Sequence, residues 1–434
     1  MSGNAWSLTT QSDRFKIKYG KLADKVFNAG NPITMQIKST NDFVGKSMIE
    51  DNPLGFSGSV GSSVIPKSNV GNYANSIIVS KKIYATVIVD RESMKASSTT
   101  EGAFFKFMDK PVKDAMESFD RNRSRMFFGD GSAILGYGDN AAANISGTGA
   151  IATPFVVTFV AAKFHEANFE EKDFVQVVTG ITSTVTGAGG TAEGGITEVN
   201  LLEVVEVNTA LLTIKLVGVS PALTAKIGAD GLNSNEAIVM QRSYMSDFTG
   251  LRLVSNLSVA FDAGTTGLSF QGVPMQRRWR MYVKSASAAL TIPLINEVAI
   301  GIEKRCGKAI TMLASSYKQF TKLLDLSENQ KQYTTVMPAN AQFQKAIYGF
   351  KAVEYMTTTG AVPVIADRMI KDDEIWFLNK SYLEYRLRPD GAKWADEDGT
   401  VFLRNGNDEY TATYACYGEL QISPNYHGHL KDLT

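Results

Sequence analysis

Four glycines and an aspartate crowd into FFGDGSAILGYG, residues 127–138, where Gly129, Gly131, Gly136 and Gly138 stand around Asp130. Such a loop could wrap a phosphate, because backbone N–H groups unobstructed by Cβ atoms can converge on an anion. The context argues otherwise. A dinucleotide fingerprint needs a strand before its glycines and a helix after them, and a P-loop needs Lys followed by Ser or Thr. Here a long helical pattern comes first, alanine-rich coil follows, and the loop has no lysine. The glycines read as a helix stop and a turn.

The other chemical candidates are few. His165 is alone in a β-patterned region, while His427 and His429 would point their rings to one face of a strand. A zinc site needs a third ligand and an open position, and the sequence signals neither nearby. DEDG at 396–399 lacks the spacing and the terminal bidentate Glu of a calcium loop, so it reads as a solvated acidic turn. Asp372–Asp373 reads the same way, before a strand. No Gly-x-Ser-x-Gly elbow is present. QRRWR (276–280) is the one dense basic-aromatic patch, suited either to touching phosphate or to stacking Arg on Trp279 within an interface. No catalytic residue, cofactor or metal ligand is expected, and the chain does not read as an enzyme.

The bulk composition is consistent with that. With 434 residues, 44% of them hydrophobic, the chain can bury a large core in two or three domains. Its 44 basic and 44 acidic residues lack the excess of a free nucleic-acid binder. Cys306 and Cys416 form no paired motif, which suits a reducing compartment. The polar start shows no signal-peptide run, and the longest apolar stretch, PFVVTFVAA (154–162), is too short for a membrane span. A soluble intracellular product is expected.

Local patterning supplies the elements. Phe15, Tyr19, Leu22 and Val26 recur at helical spacing over 12–28, giving a helix that packs either on its own domain or, as an arm, on a neighbour. Residues 51–76, rich in Gly, Ser, Asn and Pro, read as a long extended loop, and 77–90 as a returning strand. Over 97–128, Ser98 with Glu101 forms a capping box. Phe104, Met108, Val112, Ala115 and Phe119 make one buried stripe, and Pro111 should kink or divide the helix. From about 140 to 270 short antiparallel strands are expected as a small barrel or sandwich, with Leu212, Ile214 and Leu216 facing one way and Thr213 and Lys215 the other. Beyond 286 the pattern is mixed: helices at 291–307 and 315–326, strands between and after them, and a final β region at 400–430.

That order of parts resembles the major capsid proteins of tailed bacteriophages, with the Hong Kong 97-type fold. The stretches that carry the resemblance are the arm KYGKLADKVFNAGNPITMQIKSTNDFVGKS (18–47), DRESMKAS (90–97) and the helix ending in RMFFGDGSAILGYG (125–138). GFKAVEYMTTTGAVPVIADRMIKDDEIWFLNKSYLEYRL (349–387) and ELQISPNYHGHLKDL (419–433) complete it. The resemblance implies an α+β fold with an N-terminal arm (1–50), an extended loop hairpin (51–90) and a peripheral domain with a spine helix (91–140). It further implies a β-barrel-like insertion (141–255), a return to the peripheral domain (256–285), an axial domain (286–388) and closing peripheral strands (389–434).

The same resemblance implies a shell protein of the virion that self-assembles into pentamers and hexamers in the host cytoplasm and encloses double-stranded DNA without sequence specificity. It implies a separate scaffolding protein, since the arm begins almost at Met1, a portal, decoration proteins, and no membrane. Side chains expected at subunit interfaces are Phe15, Tyr19, Leu22, Val26, Phe56, Val64, Ile65, Lys67, Tyr73, Arg277, Arg278 and Trp279. An encapsulin-like compartment for protein cargo and a β-rich enzyme remain the alternatives.

Overall fold

The computed structural model describes residues 8–29, 36–40, 44–50, 72–92, 101–138, 144–160, 164–181, 191–192, 201–226, 231–232, 235–328, 353–357, 360–396, 400–404 and 409–434. Among them are six helices: α1 (Leu8–Ala29), α2 (Glu101–Phe128), α3 (Pro221–Lys226), α4 (Leu251–Asp262), α5 (Ile292–Cys306) and α6 (Tyr317–Glu328). The chain divides into two compact units. One takes Met1–Gly45, Ile77–Leu253 and Glu384–Gln421; the other takes Lys46–Ser76, Val254–Leu383 and Ile422–Thr434.

In the first unit, α1 buries Ser12, Phe15, Tyr19, Ala23 and Phe27, a single stripe at steps of three and four. Phe15 meets Trp394 edge-on at 4.9 Å and Phe402 at 5.1 Å, and Phe27 lies 6.3 Å from Tyr385. The helix therefore packs on its own unit. Leu22 and Val26, expected on the same stripe, are only half-buried, because Ala23 and Phe27, four and eight residues after Tyr19, take the inner face.

Helix α2 runs 28 residues without interruption, about 42 Å at 1.5 Å per residue. Pro111 lies inside it and does not divide it. An interior proline costs about 3 kcal/mol. Burial of Met108, Val112, Met116 and Phe119 on one face offsets that at roughly 1.5–3 kcal/mol per side chain. Met116, not the half-buried Ala115, completes the stripe. Ser98 and the side chain of Phe104 lie outside the described residues.

Helix α2 packs against the strand Lys81–Asp90, which buries Ile83, Val87 and Val89 and turns Tyr84 and Ile88 outward. That strand pairs antiparallel with Glu409–Ile422, from Asp90 opposite Glu409 to Lys81 opposite Gly418. Leu383–Trp394, Leu403–Arg404 and the parallel Gln36–Ser39 complete this sheet.

A second sheet of the first unit is the expected β region. Its eight strands run in the order Ile134–Tyr137, Ala237–Met240, Phe174–Thr179, Leu202–Asn208, Thr213–Gly218, Phe155–Thr158 and Ile145–Ser146, with Thr191–Ala192 on Phe174–Thr179. Its core holds Phe159, Phe164 and Phe169 with Leu202, Ile214 and Leu216. Leu212 sits in the hairpin turn at φ 54° and is only partly buried, so Ile214 and Leu216 carry the inward face.

The second unit is built on a six-stranded sheet ordered Tyr282–Ala288, Gly428–Leu433, Ile375–Leu378, Met312–Ser315, Gly360–Ala366 and Val353–Thr357. Helix α5 covers it with Ile295, Val298 and Ile302. Thr291 precedes the helix in extended geometry, and Gly307 ends it at φ 67°, its N–H reaching the Glu303 carbonyl at 2.8 Å, as the sequence predicts. A separate two-stranded sheet pairs Val44–Glu50 with Asn72–Ile77, so the strand closing the loop begins five residues ahead of its expected start at 77.

Candidate assembly surfaces

The glycine loop ends a helix. The Gly129 N–H donates to the Met126 carbonyl at 3.1 Å, Gly131 adopts φ 82°, and Asp130 accepts from the Ser132 N–H at 3.1 Å. The carbonyl of Gly129 accepts from the Arg252 N–H at 3.1 Å, which joins the end of α2 to the start of α4. The surroundings are acidic. Asp247, 3% exposed, pairs with Arg125 at 2.8 Å, and burial pushes its carboxyl pKa up against that pairing. A phosphate would find carboxylates here.

Glu419, 2% exposed, accepts from the N–H groups of Thr249 at 2.7 Å and Leu420 at 2.9 Å, and burial pushes its pKa up to about 8. Cys416 is likewise pushed up to about 11 by burial, so it is a core thiol.

His427 and His429, expected to share a face, serve different partners. His427 precedes the strand Gly428–Leu433, accepts from the Asn379 N–H at 3.2 Å, and lies 3.3 Å from the Tyr382 carbonyl. Burial lowers its pKa to about 4. His429 lies within the strand, 2.7 Å from the Ser255 hydroxyl and 3.6 Å from the Glu374 carboxylate. Serine, histidine and glutamate are the residue types of a hydrolase triad, but all three are buried, beyond reach of a substrate. The described residues hold no group of three His, Cys, Asp or Glu side chains suited to a metal. Asp396 pairs with Lys16, residues 397–399 lie outside the described residues, and the Asp372 backbone carbonyl accepts from the Gln319 amide at 2.8 Å.

The side chains expected at interfaces divide into three groups. Phe15, Tyr19 and Trp279 are buried in the chain itself, at 0%, 1% and 4% exposure, so they are not available to a neighbour. The Trp279 indole donates to the Phe270 carbonyl at 3.4 Å; the arginine stacks lie elsewhere, Arg280 over Phe261 and Arg305 over Tyr282. Leu22 and Val26 are half-buried, and Arg277 and Arg278 are exposed. Phe56, Val64, Ile65, Lys67 and the side chain of Tyr73 lie outside the described residues, although Tyr73 falls in the strand Asn72–Ile77.

Exposed apolar side chains that the sequence did not single out include Ile17 on α1 and Ile77, Val79, Tyr84 and Ile88 on and before the strand Lys81–Asp90. Their signal was the strand's alternation, legible once the inner face is known.

No curated protein matches the chain. Residues 254–433 match the family model of the SU10 major capsid protein. Among solved structures, the cyanophage A-1(L) capsid asymmetric unit is similar at 9% identity and a TM-score of 0.50, with 92% of this chain and 90% of that one covered. The capsid of a native GTA particle is similar at 7% identity over 100% and 93% of the two chains, with a TM-score of 0.39. The SrpI encapsulin of Synechococcus elongatus PCC 7942 is similar at 10% identity over only 35% and 53%, with a TM-score of 0.24. The last two likenesses are too loose to say more about the fold. The likeness to a major capsid protein family thus lies in residues 254–433, and the chain has the Hong Kong 97-type fold along nearly its whole length.

Proposed function

We propose that copies of this chain close into pentameric and hexameric rings that build an icosahedral head around double-stranded DNA. The match of residues 254–433 to a major capsid protein family carries this reading. In this reading the role of the chain is structural. One chain in two kinds of ring needs contacts that tolerate different angles. The strands Val44–Glu50 and Asn72–Ile77 bracket a loop containing Gly55, Gly58, Gly61 and Gly71, with Phe56, Val64, Ile65 and Lys67 as its contact side chains. On α1 the contacts with a neighbour fall to the exposed Ile17, opposite the internal stripe, with the half-buried Leu22 and Val26 flanking that stripe. Assembly in the host cytoplasm on a separate scaffolding protein, with a portal and decoration proteins, belongs to the same proposal.

Expression of the chain, alone and with its genomic neighbours, followed by negative-stain electron microscopy, tests it. Closed shells or capsomer rings are expected. A monomer in both preparations at high concentration sinks the reading, and shells that retain protein cargo but no nuclease-protected DNA favour a compartment.

A further inference from the structure

Between residues 276 and 308 the chain carries seven lysines and arginines against two glutamates, although its 434 residues balance 44 to 44. The fold of the second unit concentrates that excess. Gln276 and Trp279 are bridged partners, the Trp279 N–H reaching the Gln276 carbonyl at 3.0 Å, so Arg277 and Arg278 occupy the tip of a tight turn. The turn is rooted by its apolar members: Met275, Trp279 and Met281 are 6%, 4% and 0% exposed. Helix α5 ends beside it. Arg305 donates to the Met281 carbonyl at 3.3 Å and stacks over the Tyr282 ring at 4.6 Å. Arg280 lies over Phe261, paired with Asp262.

The cluster works against itself electrostatically. Burial and then the Arg277 charge pull the Arg305 pKa down, and burial and then the Arg305 charge pull down that of Arg280. Backbone carbonyls and aromatic faces hold these like charges together, a geometry that a shared anion would relieve.

We propose that Arg277, Arg278 and Arg305 form a contact site for the phosphate backbone of double-stranded DNA. This rests on the shell reading above, whose interior holds DNA. Guanidinium forks match phosphate oxygens two at a time and stay charged at every working pH. A polyanion fits better than a second copy of the chain. Arginine suits protein interfaces and phosphates alike, so what favours the polyanion is the local excess of seven basic over two acidic side chains, on a turn that keeps its apolar members inside. Contacts of this kind carry no sequence preference.

The test is fluorescence anisotropy of the full-length unassembled chain with labelled 30-base-pair duplexes of two unrelated sequences, between 50 and 200 mM KCl. Wild-type affinity should be the same for both duplexes and fall steeply with salt. In Arg277→Gln/Arg278→Gln the slope of log affinity against log salt should shrink by about two, each phosphate contact being worth about 0.9. Arg277→Lys/Arg278→Lys should keep the slope. Salt-independent binding by the wild type, or a wild-type slope in the glutamine variant, overturns the site. So does a glutamine variant that binds duplex normally but no longer forms shells, which makes the turn a contact between copies. Duplex binding that follows these expectations in a chain that never forms shells sinks the shell reading and leaves the site standing.

Discussion

The imidazole of His429 lies flat on the indole of Trp376, ring centroids 3.7 Å apart and planes 3° from parallel. The two are cross-strand partners in antiparallel register, so the sheet itself fixes the stack. One edge of the ring meets the Ser255 hydroxyl at 2.7 Å, and the other faces the Glu374 carboxylate at 3.6 Å. His429→Ala removes the ring stacked on Trp376 and the partner of the buried Ser255 hydroxyl at once. It should lower the unfolding free energy of the second unit by about 3–5 kcal/mol, read by urea denaturation. Ser255→Ala removes one hydroxyl and should cost about 1 kcal/mol. Equal losses from the two variants would mean that the trio does not act as a network.

The stability of the two units should respond to pH in opposite directions. Glu419 in the first unit has its folded pKa raised from 4.5 to about 8, so the native state binds the extra proton between those values. That contribution is fully present below 4.5 and is lost as pH rises through 8. His427 in the second unit has its pKa lowered from 6.5 to about 4. Its contribution is present above 6.5 and is lost as pH falls through 4. Glu419→Gln keeps an oxygen for the Thr249 and Leu420 N–H groups and removes the titration. It should flatten the fall in stability from pH 5 to 8 in chemical denaturation while leaving the acid limb unchanged. A wild-type slope in that variant assigns the fall to other groups.

Much of this architecture was legible in the sequence because it is local. Thr291, Pro293 and Gly307 announce α5 by their conformational preferences alone, and the glycines after Phe128 announce the end of α2. The buried clusters were not legible, because they assemble across the chain: Ser255 and His429 are 174 residues apart, and Thr249 and Glu419 are 170. Helical spacing also leaves a choice of face. The series Phe15, Tyr19, Leu22, Val26 and the series Phe15, Tyr19, Ala23, Phe27 fit it equally, and only the positions of Trp394, Phe402 and Tyr385 decide between them. Spacing within QRRWR likewise shows that Arg and Trp are close without showing that the tryptophan points inward.

Two glycines should respond to a methyl group in different ways. A Cβ at Gly250 would lie 2.3 Å from the Met126 carbonyl oxygen and 2.5 Å from that of Gly129, both backbone atoms that cannot step aside. Gly250→Ala should therefore force the end of α2 away, at a cost of about 1–3 kcal/mol, and speed hydrogen exchange at the amides around Gly129. Gly307 has nothing within 4 Å of its missing Cβ but sits at φ 67°. Gly307→Ala should cost about 1 kcal/mol from backbone strain, with exchange faster only at the end of α5. Protection around Gly129 that does not change in Gly250→Ala would contradict the close backbone approach.

The two sides of α1 make the sharpest prediction about assembly. Phe15 is fully buried between Trp394 and Phe402, so Phe15→Ala should destabilise the first unit by about 3–5 kcal/mol and reduce the yield of folded chain. Leu22 and Val26 flank that stripe half-buried, whereas Ile17, 71% exposed, lies on the outer side, and Ile17→Asp should leave unfolding of the isolated chain within about 0.5–1 kcal/mol of wild type. If the outer side of the helix contacts a neighbouring copy, the same substitution buries a charge at each repeat of that contact, and shells should become scarce at concentrations where the wild type assembles. Denaturation of the monomer and particle counts by electron microscopy separate the effects. Normal shells from Ile17→Asp would confine α1 to its own unit and leave the contacts between copies to the loop.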